Sequence, residues 1–63
     1  MSAGALKRYM ELANTISNQA QAIVQGKIPG PQLYAQVSLM QNNIETLKAW
    51  TPRPEDAKEG RTG

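Results

Sequence analysis

Gly26-Lys27-Ile28-Pro29-Gly30-Pro31 is the one interior stretch in which two glycines and two prolines fall within six residues, and its reading decides the fold. Apolar residues repeat at helical spacing on both sides of it, so the stretch reads as the turn of a helical hairpin. Gly26 suits the left-handed conformation that ends a helix. Pro31 suits the first position of the next, where its fixed φ is already helical and its missing N–H has no partner to lose. Two antiparallel helices follow, one over about residues 3–25 and one over about 31–50, joined by a turn at 26–30.

Upstream of the turn, Leu6, Tyr9, Met10, Ala13, Ile16, Ala20, Ile23 and Val24 recur at spacings of three and four, the pattern of an amphipathic helix. With Ala5 and Leu12 they cover an arc of roughly 160°, wider than the seam one facing helix covers. The first helix is therefore expected to have more than one neighbour. Ser2 is its expected N-cap, and Gly4 weakens its first turn. Downstream, Leu33, Val37, Met40, Ile44 and Leu47 stand four, three, four and three apart, which reads as a heptad seam. Tyr34 lies off that stripe on one side, Leu39 and Trp50 on the other, and these three are expected contacts between chains. For Trp50 a second reading stays open, in which it folds back over the open end of the hairpin with its N–H in water.

Thr51-Pro52-Arg53-Pro54 stops the second helix, because each proline removes a donor and biases the residue before it toward extended backbone. Residues 52–63 then form a proline-led tail with Arg53, Glu55, Asp56, Lys58, Glu59 and Arg61 in balance and almost no apolar content, so it contributes no core. Pro54 is placed to start one helical turn through Glu59, ahead of Gly60.

Sixty-three residues make one small domain at most, near the lower limit for a chain that folds alone, and such scaffolds usually carry a fastening. Cysteine and histidine are both absent. Disulfides, thiolate or imidazole zinc sites and Cys-His or Ser-His catalytic pairs are thereby excluded, and association remains as the available fastening. No apolar run reaches the ~18 residues of a membrane span, and no apolar core follows the basic pair Lys7-Arg8 as in a signal segment. The expectation is a protein of the cytoplasm, or of a particle assembled inside the cell, with no membrane partner and no small-molecule substrate. A net charge of +2 is too small to name a partner.

Charge is unevenly placed. No charged side chain occurs between Glu11 and Lys27 or between Lys27 and Glu45. In an antiparallel hairpin these segments lie side by side, so the half next to the turn is neutral all round, against ~25–35% charge on an ordinary surface. Its polar positions are amides, Asn18, Gln21, Gln36 and Asn43 among them. Side-chain amides supply hydrogen bonds at an interface without the desolvation cost of a charge. The expectation is that other subunits enclose this half, with Asn18, Gln21, Gln36 and Asn43 at the interface; an amide-rich solvated surface is the alternative.

Candidate chemistry is sparse. Glu11 and Glu45 are a possible carboxylate pair, but Glu11 falls opposite the apolar arc and Glu45 well off the seam, so both are expected in water and neither as a catalyst or metal ligand. The turn is not a phosphate cradle, since its prolines delete the N–H groups such a loop needs. At the open end Lys7, Arg8, Lys48 and Arg53 gather near Tyr9 and Trp50, the minimum for phosphate contact with base stacking. In length and topology, though in no motif, the chain resembles the Rop-type RNA-binding hairpin that dimerises into a four-helix bundle.

The resulting expectation is an all-α antiparallel hairpin, completed into a helical bundle by self-association or a partner. In function it is a non-enzymatic structural or adaptor subunit of a larger assembly, such as a viral particle, with no cofactor. A small nucleic-acid-binding regulator and a one-to-one protein inhibitor are the alternatives from other classes.

Overall fold

The computed structural model describes residues 2–55. Those residues are all-helical. Helix α1 runs over Ala3–Val24 and helix α2 over Gly30–Trp50, and the two pack against each other as a hairpin without strands. The tail beyond Glu55, including the helical turn expected to continue through Glu59, lies outside the described residues; Pro54 and Glu55 themselves have helical backbone.

Each helix end follows from its residues. Ser2 is extended, at φ −71° and ψ 163°, and its hydroxyl oxygen accepts the Ala5 N–H at 3.2 Å, which satisfies one of the donors that an α-helix leaves unpaired in its first turn. At the other end of α1, Gly26 takes φ +71°. The Lys27 N–H then donates to Ala22 O at 3.0 Å and the Gly26 N–H to Ile23 O at 3.1 Å. This pair of reverse bonds closes a helix through a left-handed residue, which a side chain would strain and glycine does not.

Helix α2 begins one residue earlier than the proline argument places it. Gly30 is its first residue and Pro31 its second, with Pro29 preceding at φ −59° and ψ 144°. A proline costs nothing at either position, because the N–H groups of the whole first turn lack intrahelical partners. Gln32 donates to Pro29 O at 2.9 Å and closes that turn. Thr51 ends α2 in an extended conformation, ψ 129°, as a residue before proline prefers, and its hydroxyl donates back to Leu47 O at 2.7 Å.

The two helices meet along one line of residues from each. On α1 the line facing α2 is Ala5, Tyr9, Leu12, Ile16, Gln19 and Ile23, and on α2 it is Gln36, Met40, Asn43 and Leu47, all half-buried; Ala13, Ala20, Ala22 and Ser38 are half-buried off these lines. Both lines step by four and three, the spacing of an antiparallel helix pair. The α2 line is not the apolar stripe expected from the sequence. It is turned by roughly 50°, about half a residue, so that Met40 and Leu47 remain in the seam while Leu33, Val37 and Ile44 flank it, 38, 43 and 45% exposed. The reason is visible in the partners: Asn43 donates Nδ2–H to Gln19 Oε1 at 3.1 Å, and this bond requires both amides to face across the seam. At the open end Tyr9 Oη and Thr51 Oγ1 stand 2.8 Å apart. Thr51 has one hydroxyl hydrogen and gives it to Leu47, so Tyr9 is the donor.

Candidate functional site

None of the described residues is buried. Two helices lying side by side cover only one strip of each, and the remaining apolar surface has to be accounted for. On α1 that surface is carried by Leu6, Met10 and Val24, on a second stripe that also holds the half-buried Ala13 and Ala20 and the polar Ser17, each one residue after a member of the seam line and so rotated from it by about 100°. Leu6, Met10 and Val24 on this stripe are 47, 61 and 85% exposed. On α2, Val37 and Ile44 likewise follow the seam residues Gln36 and Asn43 by one, with Leu33 on the same flank. Because the helices run in opposite directions and face each other, an equal rotation on both carries the two stripes to the same side of the hairpin. The outcome is one apolar face, two helices wide. Gln41 lies between Val37 and Ile44 on it, and Lys48 marks its edge toward the open end.

The expected contact residues distribute differently. Tyr34, 86% exposed, points away from α1 next to the apolar flank, while Leu39 and Trp50, about half exposed, lie on the opposite side of the seam. Trp50 adjoins the open end, which is closed by the bond from Tyr9 to Thr51. Of the amides, Asn18 and Gln21 are exposed, whereas Gln36 is half-buried in the seam and Asn43 is bonded across it to Gln19. Gln19 is the participant that the sequence analysis did not single out. Its position in the series Ala5, Tyr9, Leu12, Ile16, Gln19, Ile23 was the available signal, masked because an amide does not score as apolar. The threonines are satisfied within their own helices: Thr15 donates to Glu11 O at 3.0 Å and Thr46 to Asn42 O at 3.1 Å.

The basic residues of the open end do not converge. Lys7 and Arg8 are consecutive on α1 and diverge by about 100°. Lys7 shares a shallow groove along α1 with Glu11, Leu6 and Met10. Lys48 and Arg53 share another with Glu45, and Arg53 Nε stands 3.8 Å from Glu55 Oε1. Lys7, Lys48 and Arg53 thus each have a carboxylate nearby, and Tyr9 commits its hydroxyl to Thr51. Lys48 in the last turn of α2 also complements the negative end of the helix dipole. Glu11 and Glu45 line separate hollows, and among the described residues no three acidic, histidine or cysteine side chains cluster as a metal site would need. No described helix is long and apolar enough to cross a membrane.

Comparison with protein-family models, with curated proteins and with solved structures gives no match for this chain.

Proposed function

We propose that the chain is a non-enzymatic structural or adaptor subunit, which acts by packing its helix faces into a larger protein assembly, such as a viral particle or another complex put together inside the cell. The observation that supports this is the contrast between a hairpin with no buried residue and an apolar face that both helices present to one side. Ordering a residue costs roughly 1.5 kcal/mol, and a small domain offsets that cost by burying apolar surface. Two helices in contact along a single seam bury too little, and with no cysteine or histidine in the chain neither a disulfide nor a thiolate or imidazole metal site makes up the difference. Burial against another protein is the remaining source.

Sedimentation and circular dichroism on the purified chain test the reading. The expected result is either a multimer with cooperative melting or a chain whose helices form only weakly until a partner is added. A lone 6.9 kDa protomer that melts cooperatively at high temperature would overturn it.

A further inference from the structure

The apolar face has a relief as well as a polarity. In its middle α1 carries only small side chains, Ala13, Ser17 and Ala20, while α2 raises Ile44 beside them. Register fixes the heights. Ser17 lies two residues before Gln19 and Ile44 one residue after Asn43, so both are displaced toward the open end from the Gln19–Asn43 bond, by roughly 3 and 1.5 Å. A hollow on one helix and a projection on the other therefore stand at nearly the same height, side by side on one face. A two-fold axis parallel to the helices exchanges left and right without changing height. It lays α2 of one copy over α1 of the other, and each Ile44 meets the other copy's hollow.

We propose that the occupant of this face is a second copy of the chain, packed about such an axis so that Ile44 of each protomer seats over Ser17 of the other and both turns lie at the same end of a four-helix bundle. The inference rests on the packing role proposed above and names its first partner. Two features favour a copy over an unrelated protein. The relief is complementary to itself, as an isologous contact requires. The two stripes carry no charge inside Lys48, so a charged partner gains nothing from them, whereas an identical face matches them. Where the two helices overlap, from about Met10 to Val24, the face measures roughly 21 Å by 20 Å, about half of the ~800 Å² that each side of a standard interface buries, which is the size of a weak, concentration-dependent contact.

Sedimentation equilibrium across a hundredfold range of chain concentration is the test. The unmodified chain should run at twice its 6.9 kDa mass. Ile44→Asp, which places a charge on the face, and Ser17→Trp, which fills the hollow without touching the seam, should each weaken the dimer at least tenfold. Leu39→Asp, on the opposite side, should leave it unchanged. In the Lys27→Cys variant, whose cysteine is the only one in the chain, a short bis-maleimide should join the two turns; turns at opposite ends of the bundle, ~30 Å apart, would escape it and overturn the two-fold axis assigned here. A weakly helical monomer at every concentration, rescued only by another protein, overturns the self-pairing and leaves the packing role standing. A cooperatively folded monomer overturns both.

Discussion

Asn43 on α2 donates a hydrogen bond to Gln19 on α1 across 3.1 Å, in the middle of the line where the helices meet. An amide pair in that place costs stability compared with two leucines, yet it fixes which residues face each other, because a shift or rotation of either helix leaves a polar group in the seam unpaired. The rotation that brings these amides together is also what turns Val37 and Ile44 out of the seam and onto the flank.

A double-mutant cycle measures the pair. Gln19→Ala and Asn43→Ala should each lower stability by about 0.5–1.5 kcal/mol, and the double variant should fall short of their sum by about 0.5–1 kcal/mol. Denaturant midpoints give all four values. A coupling of zero would mean that the amides face water separately and that the seam is not the one described.

The open end should respond more to Thr51 than to Tyr9. Tyr9→Phe removes a single partly exposed hydrogen bond, worth about 0.5–1 kcal/mol. Thr51→Val removes that bond's acceptor together with the cap to Leu47 O, so its cost should be roughly twice as large. Amide exchange at the last turn of α2 reads the difference, since loss of the cap should speed exchange there while Tyr9→Phe should not.

Three glycine substitutions should separate in sign. Nothing lies within 4 Å of a Cβ built at Gly4, Gly26 or Gly30, so space decides none of them. At Gly26 the backbone stands at φ +71°, and Gly26→Ala should cost about 1–2 kcal/mol in the left-handed region. Gly4 and Gly30 are in helices, and alanine at either should add about 0.5–1 kcal/mol, partly by narrowing the unfolded ensemble. Thermal melts of the three single variants are sufficient; stabilisation by Gly26→Ala would contradict the helix ending described above.

The hairpin was legible in the sequence because its signals are local. Gly26 and the prolines act within a few residues of themselves, and the 3.6-residue repeat is carried by the chain alone. The rotation of α2 was not legible, because it depends on what Asn43 meets on another helix. An apolar stripe at heptad spacing, Leu33, Val37, Met40, Ile44 and Leu47, looked like the seam; Met40 and Leu47 serve the seam and the other three the flank. The same limit applies to the open end, where Lys7, Arg8, Lys48 and Arg53 are near in height but splayed in direction, a fact that composition does not contain. The broad arc on α1 did contain its consequence, since one neighbour covers only Ala5 through Ile23 and leaves Leu6, Met10 and Val24 exposed.

Two adjacent residues provide the finest test of where enclosure stops. Ser17 lies on the apolar flank; Asn18, the next residue, is turned a further 100° away from the seam and is exposed in the hairpin. A lysine at position 18 should keep its charge in water, so Asn18→Lys should leave the mass of the purified assembly unchanged and its stability within about 0.5 kcal/mol. A lysine at position 17 would have to desolvate against Ile44 of another copy, or reach around it, and Ser17→Lys should dissociate the assembly at concentrations where Asn18→Lys does not. Sedimentation of the two variants side by side measures both. Equal dissociation by the two would mean that the neutral half is wrapped on more than its apolar side, and equal indifference that no chain covers the flank at all.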